Sequence, residues 1–293
     1  MRAPSPNGAV VTTSRVLVGL VGSGIGPSLT PALHEREGDA QGMRYLYQRM
    51  DLDELGLGAD DVGRVLDAAR LAGFRGLNLT HPVKQTVLPH LDGLSADAAA
   101  LGAVNTVVLA PDGTATGDNT DWSGFATSLR RGLPDAALGH VVVLGAGGAG
   151  AAVAHALGRL GAGHLTVVDA DAGRAAALAG ALPAATAASV AALASVLADA
   201  DGLVHATPTG MRGHPGSPVP TDLLDPRLWV ADVVYRPLET ELVRAARARG
   251  LRVLDGGGMA VFQAVDAFRL FTGVEPDADR MLAHFTELVA VSP

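Results

Sequence analysis

The sequence contains no cysteine. That excludes disulfides, thiolate catalysis, iron-sulfur clusters and Cys-based zinc sites, and any metal would have to be held by His and carboxylates. Aromatic residues make up only 4% of the chain, so its cores must be built from Ala, Val and Leu. At 48% hydrophobic residues there are enough of them to exclude disorder for the bulk. Positive charge is also scarce. The 22 Lys and Arg against 30 Asp and Glu leave a net charge of −8, which repels a phosphate backbone unless the Arg residues cluster, so no nucleic-acid partner is expected. Long apolar runs are missing as well. Residues 141–158 and 175–198 carry no Asp, Glu, Lys or Arg, but the first is broken by Gly145, Gly147, Gly148 and Gly150, and the second is mostly Ala and is cut by Pro183. Neither has the Leu and Ile density that membrane insertion requires. Pro4, Pro6 and Gly8 fall where a signal peptide would keep an unbroken apolar stretch. Residues 1–14 therefore read as a short flexible lead, and the expected compartment is the cytoplasm.

A length of 293 residues predicts two domains. Short Val- and Leu-rich runs alternate with longer segments of helical period, the pattern of an α/β fold around parallel sheets. Strands are expected at 16–22, 44–51, 76–80, 103–109, 140–145, 165–169, 202–207, 229–235 and 251–256. Helices are expected near 30–37, 59–72, 82–89, 121–131, 148–160, 172–181, 189–198, 239–249, 259–271 and 277–289. The segment APDGTATGDNT (110–120) reads as a polar turn cluster and sets the domain boundary. The last helices are too few to form a third domain and must return to the first. The expected division is 15–120 with 259–293 for one domain and 121–258 for the other.

HVVVLGAGGAG places Gly145, Gly147 and Gly150 in G-x-G-x-x-G spacing between an apolar strand and an Ala-rich helix. In that context the spacing predicts a dinucleotide site, with Gly145–Ala146–Gly147–Gly148–Ala149–Gly150 closing on a pyrophosphate at the helix N-terminus. Asp169 ends the next strand, 19 residues after Gly150 and near the roughly 20 expected of an acid that meets the adenosine ribose. Its charge would repel a 2′-phosphate and so favours NAD over NADP. Arg174 could lie along the adenine or pair with a phosphate, and Asp169 could otherwise simply end a strand and cap a helix.

The other polar signals lie before this turn. Lys84, in GLNLTHPVKQ, is expected in the first turn of a helix opened by Pro82, where a cation is disfavoured by the helix dipole. It is either functional or a surface lysine. Asp121 in NTDWSGF is either an N-cap or functional, and Asn105 is either a satisfied core amide or a ligand contact. Ser28 and Thr30 equally suit turn and cap positions.

Taken in order, GPSLTPALHE, GLNLTHPVKQ, LGAVNTVV, GDNTDWSGF, VLGAGGAG, HATPTGM, DVVYRP and DGGGMAVFQAVDAF resemble the shikimate dehydrogenase family. The similarity is greatest to its NAD-preferring quinate/shikimate dehydrogenase branch. The resemblance implies a substrate-binding α/β domain followed by a Rossmann-type domain, and reversible oxidation of a ring hydroxyl of quinate or shikimate with no metal. By the same analogy Lys84 takes the hydroxyl proton and Asp121 pairs with it and contacts the substrate. Ser28 and Thr30 hold the carboxylate, with Tyr235 nearby, and Thr80, Asn105 and Gln263 bond the ring hydroxyls. Thr207, Met211, Val234 and Gly258 border the nicotinamide. Thr30 stands where the family commonly has Ser, and His205 stands where it has Asn. The strand end Asp-Ala-Asp replaces the Asn-Arg-Thr of NADP-dependent members. An aminoshikimate or aminoquinate dehydrogenase, or a silent NAD or metabolite sensor on the same scaffold, is the alternative, and a homodimer is left open.

Overall fold

The computed structural model describes residues 15–291, and the lead expected at 1–14 lies outside them. The described residues form two six-stranded sheets. The first contains β1 (Arg15–Gly22), β2 (Arg44–Asp51), β3 (Gly76–Leu79), β4 (Gly93–Leu94), β5 (Thr106–Leu109) and β6 (Ala115–Asp118), in the order β2-β1-β3-β5-β6-β4. Around it lie α1 (Thr30–Ala40), α2 (Leu52–Leu55), α3 (Val62–Leu71) and α4 (Ala96–Leu101). The second contains β7 (His140–Leu144), β8 (His164–Val168), β9 (Ala185–Ala188), β10 (Gly202–His205), β11 (Trp229–Asp232) and β12 (Arg252–Leu254), in the order β12-β11-β10-β7-β8-β9. With it come α5 (Thr120–Gly132), α6 (Gly148–Arg159), α7 (Ala172–Gly180), α8 (Leu193–Ala198) and α9 (Glu241–Ala248). The chain ends with α10 (Gly256–Thr272) and α11 (Ala278–Val291). No helix among the described residues is long and apolar enough to cross a membrane.

All pairings in the second sheet are parallel. Its central strand β7 reads HVVVL, and Val141, Val142 and Val143 are all fully buried, because helices cover both faces and both sides of the pleat must be apolar. The strand order reverses direction between β7 and β10. In such a sheet the crevice outside the carboxyl ends of those two strands is where ligands bind. The glycine turn follows β7, and Ala206–Thr207 follows β10.

The first sheet departs from the all-parallel expectation. The segment 110–120 is not only a turn: β5 and β6 form an antiparallel hairpin across Pro111–Gly113, closed by the Ala110 N–H to Thr114 carbonyl bond at 2.9 Å. Small and polar residues at 115–118 hide this strand from a search for Val and Leu. The helix expected at 82–89 is also absent. Residues 81–87 run through consecutive turns into a 3-10 turn at Leu88–His90. Pro89 would clash with the carbonyl four residues back, and Val83, Thr86 and Val87 are β-branched, so a helix there has little to sustain it.

Two helices join the halves. In α5, Phe125, Ala126 and Leu129 pack against Val141 and Val153 of the second half. Its other side meets α10 so closely that a Cβ at Gly124 would stand 2.6 Å from the Gln263 nitrogen. Helix α10 then runs on to place Ala267, Phe268 and Phe271 against Val16, Val18 and Tyr45 of the first sheet. The last helices thus return to the first half, and α11 is anchored on α1 by Arg280 and the fully buried Glu37, at 2.6 Å.

Candidate active site

A cleft of about 810 Å³ separates the two halves, and Lys84 and Asp121 meet inside it. Lys84 Nζ donates to Asp121 Oδ2 at 2.6 Å. Lys84 projects from the turn after β3, where its carbonyl accepts the Val104 N–H. Asp121 lies in the first turn of α5 but does not cap it. That role belongs to Asn119, whose Oδ1 accepts the Asp121 N–H at 3.1 Å. The Asp121 carboxylate is therefore free for other partners.

Asn105 fixes the second of these. Its Oδ1 accepts the Thr120 backbone N–H at 2.7 Å, which settles the orientation of the amide. Nδ2 must then face Asp121 Oδ1 at 2.9 Å and Gln263 Oε1 at 3.4 Å. The geometry makes Asn105 a hydrogen-bond donor toward the cleft. Behind it runs a buried polar chain: Tyr47 Oη donates to Asn78 Oδ1 at 2.7 Å, and Asn78 Nδ2 donates to Thr106 Oγ1 at 3.0 Å.

Ser28, Thr30, Thr80, Tyr235 and Gln263 line the same cleft. The loop carrying Ser28 is held by Asp51, whose carboxylate accepts the Gly24 and Ile25 N–H groups at 3.1 and 2.8 Å. Burial would raise the Asp51 carboxyl, but these and neighbouring backbone N–H groups bring it below the usual carboxylate value. Arg236 of the second half donates to the Pro27 carbonyl, so the loop is also tied across the mouth of the cleft. Burial pushes the Tyr235 hydroxyl above its ordinary pKa against the opposing effect of Arg236, and it stays protonated at neutral pH.

On the other wall, Gly145 has φ +111°, and a Cβ at Gly150 would lie 1.9 Å from the Gly145 carbonyl oxygen, so only glycine permits this turn. Around Gly147 and Gly148, by contrast, a Cβ would meet nothing within 4 Å. With Ala149 they line the cleft at the N-terminus of α6, which has no side-chain cap. That open cradle of backbone N–H groups fits a pyrophosphate. Asp169 Oδ2 accepts the Ala146 N–H at 2.7 Å, and Oδ1 pairs with Arg174 at 2.8 Å. Burial works against the Asp169 carboxylate, yet Ala146, Arg174 and Asp171 together lower its pKa. Asp169 therefore braces the glycine turn, and Arg174 is already its partner.

Thr207, Met211 and Val234 line the cleft, whereas Gly258 does not. A Cβ at Gly258 would strike Ser128 Oγ at 2.1 Å, so this glycine serves the α10–α5 contact. Gly256, two residues earlier and hence on the opposite side of the helix, is the glycine of α10 that reaches the cleft. Sequence reasoning missed Asn78, Arg212 and Arg236, which also line it. Asn78 was visible as an amide in the apolar run GLNLT, and Arg236 follows Tyr235 directly.

Residues 20–107 match the shikimate dehydrogenase substrate binding domain, and residues 256–284 match the shikimate 5′-dehydrogenase C-terminal domain. The chain is 65% identical over 288 residues to a shikimate dehydrogenase (NADP(+)) of Streptomyces avermitilis, covering 96% of this chain and 99% of that one. It is 51% identical to a quinate/shikimate dehydrogenase (NAD(+)) of Corynebacterium efficiens, covering 93% and 98%. Among solved structures, quinate dehydrogenase from Corynebacterium glutamicum in complex with NAD superimposes with a TM-score of 0.90 at 50% identity, over 94% of this chain and 100% of that one.

Proposed function

The chain belongs to the shikimate dehydrogenase family, a family of oxidoreductases, and from that premise we propose that it reversibly oxidises quinate to 3-dehydroquinate and shikimate to 3-dehydroshikimate. The observation that carries this reading is the Lys84–Asp121 pair at 2.6 Å in the cleft opposite the glycine turn. The composition supports it. Lys84 is the only lysine in the chain, and the other 21 basic residues are all arginine. An arginine cannot give up its proton at neutral pH, whereas an amine can serve as a proton acceptor. At the one position where the chemistry asks for a titratable cation, the sequence keeps lysine.

In this mechanism Lys84 accepts the proton of the reacting hydroxyl, and Asp121 holds the amine in line with it. Asn105 and Gln263 bond the ring hydroxyls, with Asn105 as donor, and Thr80 completes that side. Ser28, Thr30 and Tyr235 hold the carboxylate. A polyol acid without phosphate suits these convergent hydroxyl and amide groups. Thr207, Met211 and Val234 would border the nicotinamide, which when bound would supply the hydride acceptor. We place the substrate half at 15–120 and 259–293 and the cofactor half at 121–258, with α5 and α10 as the hinge.

For the cofactor, the buried Asp169 carboxylate supports NAD over NADP, since it adds negative charge where a 2′-phosphate would sit. Arg174 offsets part of that charge, which keeps the preference moderate. Initial rates with quinate and shikimate, each with NAD and NADP, test the proposal. Oxidation of shikimate with no quinate oxidation at high concentration would remove quinate from the reading, and a preference for NADP would overturn the cofactor assignment.

A further inference from the structure

The structure puts His205 in a chain of hydrogen bonds that ends in the cleft. His205 closes β10, is fully buried, and faces the equally buried Asp232 at the end of the neighbouring strand β11. His205 Nδ1 lies 2.9 Å from Asp232 Oδ1, and Nε2 lies 2.6 Å from Thr207 Oγ1. Thr207 lines the cleft beside the glycine turn, and its Cγ2 is the atom a Cβ on Gly145 would meet at 3.0 Å.

For a neutral imidazole at His205, the direction of every proton in this chain follows from its neighbours. Thr240 caps α9 by accepting the Val243 N–H at 3.1 Å, so its own proton goes to Asp232 Oδ2, 2.6 Å away. Asp232 Oδ1 also accepts the Val234 N–H at 3.0 Å. Asp232 is thus an acceptor throughout, and His205 must donate to it from Nδ1. A neutral imidazole with its proton on Nδ1 has only a lone pair on Nε2. The Thr207 hydroxyl must then donate to Nε2, while its oxygen accepts the Thr209 N–H at 3.3 Å. What remains on Thr207 for a ligand is a lone pair and no proton.

We propose that Asp232 and His205 are positioning residues that lock Thr207 as an acceptor-only group in the cleft, where it receives the carboxamide N–H of the bound nicotinamide. The same pair fixes the cleft wall at a second point, because Asp232 also holds the backbone of Val234. A serine or threonine free to rotate would accept or donate indifferently. Fixed in this way, Thr207 rewards a ligand edge that carries N–H and gives nothing to one that carries only a carbonyl. This assignment rests on the dehydrogenase reading above.

The test uses the whole enzyme and two probes: its preferred oxidised cofactor, and the analogue in which a methyl ketone replaces the carboxamide, keeping the carbonyl and losing the N–H. Kd for each is measured by calorimetry, together with kcat and the KM for the polyol acid. One hydrogen bond of ordinary strength corresponds to roughly a three- to tenfold preference for the carboxamide in the wild type. In Thr207→Val the preference should fall toward one, with the substrate KM unmoved. Thr207→Ser should restore it. His205→Asn keeps an amide donor for Asp232 but is too short to reach Thr207, so it should behave as Thr207→Val. The double variant should be no worse than Thr207→Val alone, because both changes break one chain. If His205→Asn fails to fold, the two Thr207 variants still decide the matter. An undiminished preference in a folded Thr207→Val enzyme, or additive losses in the double variant, would overturn the proposal while leaving the dehydrogenase intact. A wild-type protein that bound neither probe would overturn both readings together.

Discussion

Replacing Lys84 by Met tests the chemistry most directly. The substitution keeps most of the aliphatic stem and removes the amine, whose one side-chain hydrogen bond goes to Asp121 at 2.6 Å. If that amine accepts the substrate proton, kcat should fall by roughly 10²- to 10⁴-fold, the usual worth of a positioned general base, or ~2.7 to 5.4 kcal/mol in the activation barrier. Stability should respond far less. The bond lost is a single one to a charged group, worth ~1.5 to 3 kcal/mol, against ~5 to 15 kcal/mol for a whole domain, and Asp121 retains the Asn105 N–H at 2.9 Å. Initial rates of nicotinamide reduction at saturating quinate and cofactor, read beside a thermal melt, separate the two effects. Asp121→Asn gives the companion measurement. Because Asp121 acts through Lys84, the double variant should be about as slow as Lys84→Met alone. A folded Lys84→Met enzyme that kept more than about a tenth of the wild-type kcat would show that another group takes the proton.

Asp169→Ala should narrow the gap between NAD and NADP, expected at about tenfold in kcat/KM, by removing the charge that opposes a 2′-phosphate and freeing Arg174; an unchanged ratio would mean that Asp169 only braces the turn. Gly150→Ala should weaken cofactor binding by more than about tenfold in a calorimetric titration, since the new methyl meets backbone only 1.9 Å away; wild-type affinity would refute the tight-turn argument. Burial lowers the pKa of His34 from 6.5 to about 3, so the unfolded chain takes up a proton below pH 6.5 that the folded one refuses. Stability should therefore decline as pH falls through that window. Between pH 7 and pH 5 the loss from this group is ~2 kcal/mol by linkage. His34→Leu should be less stable at pH 7, with the Tyr45 hydroxyl left unpaired, but its denaturation curves should show a pH dependence shallower by about that amount; parallel slopes would place His34 outside the titration.

Five of the six strands of the second sheet were legible in the sequence because their information is local, whereas β9, reading ATAA, has no apolar alternation to announce it. HVVVLGAGGAG announces a buried strand, a turn only glycine can make and a helix start within eleven residues, and each of these follows from the backbone and hydrophobic preferences of the residues themselves. Where a local rule competed with another, the sequence misled: Pro82 suggested a helix start, while Pro89 and the β-branched residues around Lys84 forbade the helix. Strand β6 escaped notice because ATGD has no apolar signature and owes its place to pairing with β5.

The candidate residues were legible only as separate weak signals. A lysine near a strand end, an aspartate near a helix start and an amide in an apolar run each have an ordinary explanation, and the scarcity of lysine is the one compositional feature that singles out the first. Their meeting is a tertiary fact. Lys84, Asn105, Asp121 and Gln263 span 180 positions of chain, and they come together because α5 and α10 cross closely enough at Gly124 for each to present its first turns to the same cleft. Packing also decided the detail that function depends on. The Thr120 N–H turns the Asn105 amide, the α10–α5 contact takes Gly258 out of the cleft and brings Gly256 in, and the pairing of β10 with β11 sets Asp232 2.9 Å from His205 Nδ1. Sequence determines which hydrogen-bonding groups a chain possesses, but the direction in which each one donates is set by neighbours that only the folded structure supplies.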